Sequence, residues 1–268
     1  MKLAVSNIAW TAADDDAAYA MLRELGVQHL EIAPTRFWPD LTQVTESQAR
    51  AVSADLAGKG LTVCAFQALL FGKPELQLFG ADNGRALIDY TKQVCRIASW
   101  MGARALVFGS PKNRLRGELD EAAALDHACT AFREIGNFAS EHGVHLCLEA
   151  NPRAYGADFM TTVFEAEAVV RAINSPGIRL NFDMGEIIMN DEQIDEALTL
   201  ALPVTEHFHI SEPLLEPFDA SRAIHRAAAA QLRSLGYNRL ISVEMKTPAA
   251  GLPVVRRAIE SIQQIYAP

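Results

Sequence analysis

The chain has 268 residues, half of them hydrophobic and 21% charged, which excludes intrinsic disorder and allows a large core. Lys and Arg total 24 against 33 Asp and Glu, a formal charge of −9, so the basic face of a nucleic-acid binder is not expected. No apolar run reaches the ~18 residues of a membrane span, and the segment after Met1-Lys2 is not expected to act as a secretory leader.

Four cysteines (Cys64, Cys95, Cys129 and Cys147) are widely spaced, with no CxxC pair. They read as reduced, buried thiols of a cytoplasmic protein rather than a disulfide frame.

In chain order, LAVSN (3–7) predicts a first strand, and one phrase then recurs: a helix ends at Gly and a β-branched or apolar strand follows. It occurs as LGVQHLEIA (25–33), KGLTVCAF (59–66), MGARALVFG (101–109), HGVHLCLEA (142–150), SPGIRLNFD (175–183) and LGYNRLISVEM (235–245), and HFHIS (207–211) adds an eighth strand. Glycine closes a helix in the left-handed conformation, after which the chain can turn into a strand.

Between the strands, helical patterns cover 12–25, 46–58, 82–100, 119–141, 162–174, 191–201, 221–234 and 252–266. Asp120-Glu121, Thr161-Thr162 and Ser221 mark three helix starts. Strict alternation predicts parallel strands with right-handed crossovers. Eight units in this length predict an α/β protein formed as one (β/α)8 barrel domain over residues 1–268. The longest irregular stretches, 34–45, 67–81 and 110–118, follow strands and become loops over the functional face.

In such a barrel, function belongs at the C-terminal strand ends. Four consecutive strands end on ligand-type residues: Glu149, Asp183, His209 and Glu244. Period-2 alternation gives each an inward phase, shared with Cys147, Asn181, His207 and Ser242, while Leu146, Leu148, Phe182, Phe208, Ile241 and Val243 face the helices. Each residue alone is equally explained by a hydrogen bond or ion pair at the mouth. Three carboxylates on one axis in a partly dry site would repel, and a divalent cation removes that cost. This donor set suits Mn²⁺ foremost, with Mg²⁺, Co²⁺ or Zn²⁺ as alternatives.

The segments LCLEANP, LNFDMGE, HFHISE and ISVEMK resemble the metal site of the xylose isomerase-like TIM-barrel superfamily, as do HLEIAP and GSPKNR in its sugar isomerase/epimerase branch. That branch includes ketose 3-epimerases of the D-tagatose 3-epimerase type, hydroxypyruvate isomerase and inosose dehydratase. The resemblance covers the whole chain in the number and order of units. It implies a metal-dependent isomerase or epimerase acting on a sugar, sugar phosphate or keto-polyol, with Glu149, Asp183, His209 and Glu244 as ligands. Glu149 and Glu244 would also be the catalytic acid/base pair, passing a proton through a cis-enediolate. A small-molecule sugar is the implied partner, with no nucleic acid and no membrane, and the analogy extends to a homo-oligomer.

Two positions depart from the epimerase pattern. Its His three residues after the metal Asp is Glu186 here, and its Arg six residues after the metal His is Leu215. These departures point to a different substrate, or to a different reaction at the same stage. Glu186 is then a candidate for binding hydroxyls or an amine, against the alternative of a solvated loop residue.

Other substrate-binding candidates are Lys246, in phase with Glu244; Gln67 and Glu31, which end strands; and Arg114, with Lys112 and Arg116, for a phosphate or carboxylate. Asn151 could orient Glu149, and Trp10, Phe37, Trp38 and Phe71 could wall a sugar pocket. His29, His127, His142 and His225 read as ordinary strand-start or helix-surface residues, and His207 as a deeper neighbour of His209.

An inosose dehydratase-like lyase on the same metal site is the alternative function. An apurinic endonuclease-type phosphodiesterase ranks below it, because the histidine that branch carries after Asp183 is missing. A non-catalytic sugar- or metal-binding barrel ranks low because both glutamates are intact.

Overall fold

The computed structural model describes residues 1–266. Eight parallel strands close into a barrel in sequence order: β1 (Lys2–Ser6), β2 (His29–Ile32), β3 (Thr62–Phe66), β4 (Ala105–Phe108), β5 (His145–Glu149), β6 (Ile178–Asp183), β7 (Thr205–Ile210) and β8 (Leu240–Val243). Around it run α1 (Asp15–Glu24), α2 (Glu46–Gly58), α3 (Arg85–Met101), α4 (Glu121–Glu141), α5 (Val163–Ile173), α6 (Met184–Met189), α7 (Ile194–Ala201), α8 (Ala223–Ser234) and α9 (Leu252–Tyr266). This is the predicted (β/α)8 barrel. None of these helices is long and apolar enough to cross a membrane.

Eight helices were expected, and the additional one is α6. Asp183 ends β6 and at once caps α6, its Oδ1 accepting the Glu186 backbone N–H at 2.9 Å. A six-residue helix is too short to show a hydrophobic period, so the sequence reads as a loop. Asp120 and Thr162 cap α4 and α5 as predicted. Ser221 does not cap α8: its hydroxyl and backbone N–H both bind Asp219, and α8 begins after Arg222 with no side-chain cap.

Most of the predicted helix-ending glycines take the left-handed conformation. Gly177 is the exception. Asn174 (φ 48°) makes that turn instead, and a Cβ on Gly177 would stand 1.9 Å from the Gly136 carbonyl. Its role is close approach of backbone to helix α4.

The strand phases are those predicted. Leu146, Leu148, Phe182, Phe208, Ile241 and Val243 join the large core between barrel and helices. Inside the barrel, Ala4, Cys64, Ala65, Ala105 and Cys147 form a separate cluster of small residues. All four cysteines are free and buried.

Candidate active site at the barrel mouth

β5, β6, β7 and the residue just past β8 bring Glu149, Asp183, His209 and Glu244 together. His209 Nδ1 lies 3.6 Å from Glu149 Oε2, 3.5 Å from Asp183 Oδ2 and 3.2 Å from Glu244 Oε2. All four residues lie in the mouth, with His209 fully buried beneath the carboxylates. Glu244 follows the last residue of β8, and its backbone N–H donates to the Ile210 carbonyl at 3.1 Å, which keeps the inward phase.

The neighbours aim these donors. Asn181 Nδ2 donates to Glu149 Oε2 at 2.6 Å, and Ser211 Oγ sits 2.8 Å from both Asp183 oxygens. Asn151 Nδ2 bridges Glu149 Oε1, at 3.1 Å, and Glu186 Oε1. Gly109 leaves room for this set, because a Cβ there would meet Glu149 Oε1 at 2.6 Å.

The electrostatics are those of crowded, buried acids. Burial, then Asp183 and Glu244, raises Glu149 to about 8 even against the lowering effect of His209. Glu244 is raised by burial and by Asp183, and Glu186 well above the usual range by burial, Glu149 and Asp183. Burial would lower His209, but Glu31 and Glu244 overcome it and raise it well above its ordinary value.

These residues fit a divalent cation. Donors bound at ~2.1 Å around one ion stand roughly 3 Å apart, the spacing seen here around Nδ1. Glu149, Asp183 and His209 form one candidate ligand group, and Glu244 Oε2 stands 3.2 Å from the same Nδ1. A cation would discharge the repulsion that raises Glu149.

The other candidates part ways. Gln67 and Glu186 line a cavity of about 380 Å³ above the cluster, with Asn151, Tyr155, Glu212 and Leu215. Glu186 is therefore in the pocket rather than a solvated loop residue.

Glu31 does not reach the cavity. It is 0% exposed, with Oε1 at 3.0 Å from His209 Nε2 and 3.3 Å from His207 Nε2, and Oε2 accepting from Ser242 Oγ at 2.6 Å. It sits beneath His209 because inward phase from β2 at that level leads to the barrel centre. His207 and His209 hold its carboxyl well below the usual range despite burial. Glu31, His207 and His209 make a second candidate ligand group.

Arg114 is also absent from the lining. It is 0% exposed, and Nη2 donates to Asn151 Oδ1 at 2.8 Å from behind. Burial lowers it to about 10. Lys246 turns to the rim, half exposed, and pairs with Glu216. Arg116 holds Asp158, and Lys112 is exposed outside the cavity.

The expected aromatic walls also lie elsewhere. Trp10 is buried, its Nε1 donating to Asp15; Phe37 and Trp38 pack together; and Phe71 is 74% exposed. Tyr155 is the aromatic lining residue, its hydroxyl accepting the Leu214 backbone N–H at 2.8 Å. No motif marks it in the sequence.

Glu212 was missed as well. It is fixed by His225 Nε2 at 3.0 Å and Arg222 Nε at 2.8 Å. His225, read as a surface residue, is fully buried and also meets Tyr266 Oη at 2.9 Å.

Fold and cluster together define a (β/α)8 barrel with a candidate divalent-metal site at the C-terminal ends of its strands. The chain belongs to the xylose isomerase-like TIM-barrel family, whose model matches residues 19–265. A search of curated protein sequences finds no match.

Among solved structures, the chain is similar to a D-psicose 3-epimerase from Clostridium cellulolyticum H10 crystallised with D-tagatose (TM-score 0.82, 16% identity, 99% of both chains). It is also similar to a 3-keto-D-glucoside 4-epimerase from E. coli (0.77, 15%, 99% of this chain and 98% of that one). A third is an IolI protein with a bound zinc atom (0.73, 15%, 99% and 96%). At these identities the likeness is one of fold.

Proposed function

We propose that this protein is a divalent-metal-dependent sugar isomerase or epimerase in which Glu149 and Glu244 move the proton. The observation that carries the reading is His209 Nδ1 facing one oxygen each of Glu149, Asp183 and Glu244 within 3.6 Å. The sugar epimerases among the structural neighbours support it.

Glu149, Asp183, His209 and Glu244 would hold the ion, Mn²⁺ before Mg²⁺, Co²⁺ or Zn²⁺. When bound, it supplies Lewis-acid polarisation to a carbonyl and its neighbouring hydroxyl. The protein's own groups do the rest. One glutamate takes the proton from the carbon next to the carbonyl, leaving a cis-enediolate in the substrate. The other returns a proton, to the same carbon in epimerisation or to the adjacent one in isomerisation.

Asn151 and Asn181 steady Glu149 from two sides, one on each carboxyl oxygen. Glu244 approaches from β8, three strands round the barrel from β5. Asp183 and His209 act as ligands only.

The test is elemental analysis of wild type and Asp183→Asn, followed by solvent-deuterium uptake into free ketoses and keto-inositols. One divalent ion per chain, lost in the variant, with deuterium entering beside the carbonyl, is the expected result. Loss of water from the substrate would move the assignment to a dehydratase. No metal in either protein, even after Mn²⁺ is added, would end it.

A further inference from the structure

The charge lining the pocket narrows the substrate class, an inference that rests on the sugar-converting reading above. Five carboxylates face the cavity: Glu149, Asp183, Glu186, Glu212 and Glu244. Among the described residues, no lysine or arginine lines it. With three ligand carboxylates against one divalent cation, the metal site keeps a net charge near −1; Glu212 is paired with Arg222, and buried Arg114 offsets Glu186 from behind.

The nearby cations lie outside the cavity lining. Arg114 lies behind the Asn151 amide. Arg222 is held by Glu212 and Lys246 by Glu216, while the Arg116 guanidinium donates to the Asp158 and Leu119 backbone carbonyls. A phosphate or carboxylate entering here would lose its hydration and meet no cationic donor from the walls.

Glu186 adds a preference of its own. Its backbone is fixed on the Asp183 cap, and one carboxyl oxygen is taken by Asn151. The other has no hydrogen-bond partner among the described residues and belongs to a side chain on the cavity wall. In the metal-loaded protein, where the cation offsets the repulsion from Glu149 and Asp183 that helps raise Glu186, it offers an acceptor where the substrate must bring a donor. Ala68, Val107, Leu214 and Leu215 supply apolar wall for a C–H face.

We propose that the pocket selects a polyhydroxy carbonyl compound bearing no phosphate or carboxylate, and that Glu186 receives a hydroxyl or ammonium donor from it. Sugar phosphates and sugar acids are thereby rejected.

The experiment is titration calorimetry on the Mn²⁺-loaded protein with 2-ketopentoses, 2-ketohexoses and keto-inositols, each alongside its phosphate ester, and with 1-amino-1-deoxyketoses. The best ligand is expected to be neutral or amine-bearing, with its phosphate ester binding at least tenfold more weakly. Glu186→Gln should weaken the amine-bearing ligands about tenfold and narrow the discrimination against phosphate. A phosphate ester or sugar acid as best ligand overturns the proposal, most plainly if Lys112→Ala abolishes that binding. Unchanged selectivity in Glu186→Gln overturns the role of Glu186. If deuterium enters free ketoses while phosphates bind as tightly, this inference fails and the function stands. If no compound binds and none exchanges, both fail.

Discussion

Glu31 Oε1 stands 3.0 Å from His209 Nε2, on the side of the ring opposite the three carboxylates at Nδ1. The pair is joined across the barrel from β2 to β7. A proton kept on Nε2 for Glu31 leaves the Nδ1 lone pair for a metal, the usual arrangement of a ligand histidine with a carboxylate behind it.

Glu31→Gln should therefore weaken metal binding by about 10–100-fold while leaving the four proposed ligands in place. A competition titration with a fluorescent chelator measures it. An affinity equal to wild type would show that Glu31 serves packing only.

The metal-free protein should lose stability as pH rises. Glu149 is raised to about 8 by burial and neighbouring carboxylates. A raised acid contributes stability fully present below its unfolded value of about 4.3, lost as pH climbs through the folded value. His209, also raised, acts in the same direction, from about 6.5 upward. Thermal melts in chelator at pH 5 and pH 8 should show the fall, and Glu149→Gln should flatten it. Added Mn²⁺ should raise Tm more at pH 8 than at pH 5, because protons and metal compete for the same donors. A metal effect that is larger at pH 5 would contradict the site.

Asn151 is where Arg114 acts on the site. Its Oδ1 accepts from Arg114 Nη2 at 2.8 Å, and its Nδ2 serves Glu149 and Glu186. Asn151→Ala should lower kcat about tenfold or more, since it frees Glu149 to shift, with metal content near wild type. Arg114→Leu should cost about 1–3 kcal/mol in urea unfolding by leaving Asn151 Oδ1 unpartnered. It should shift the pH–rate profile of kcat, which loss of packing alone would not do.

Much of this was legible in the sequence. The helix-ending glycines and inward strand phases carried the barrel and placed Glu149, Asp183, His209 and Glu244 on one axis. What was not legible depends on distance through space. Glu31 reaches His209 across 178 residues of chain, and the strand-end position alone pointed to substrate rather than to an imidazole one level down. Arg114 sits in a loop, where charge is ordinarily solvated, and burial depends on how that loop folds against Asn151. Tyr155, Glu212 and α6 belong to connections, which carry no period to read.

Lys246 tests the limit of strand phase as an argument. Two residues past Glu244, it shares the inward period on paper, but β8 ends at Val243 and the alternation ends with it. Its backbone N–H donates to the Leu215 carbonyl at 2.9 Å, while the ammonium meets Glu216 at the rim with half its side chain in water. An exposed pair of this kind contributes roughly 0–1 kcal/mol. Lys246→Ala should therefore keep kcat/KM within about twofold and stability within about 0.5 kcal/mol of wild type. Steady-state kinetics on whichever ketose exchanges deuterium, with a urea melt beside it, would check both. A loss of kcat/KM beyond tenfold with stability unchanged would mean that the ammonium swings in to meet the substrate.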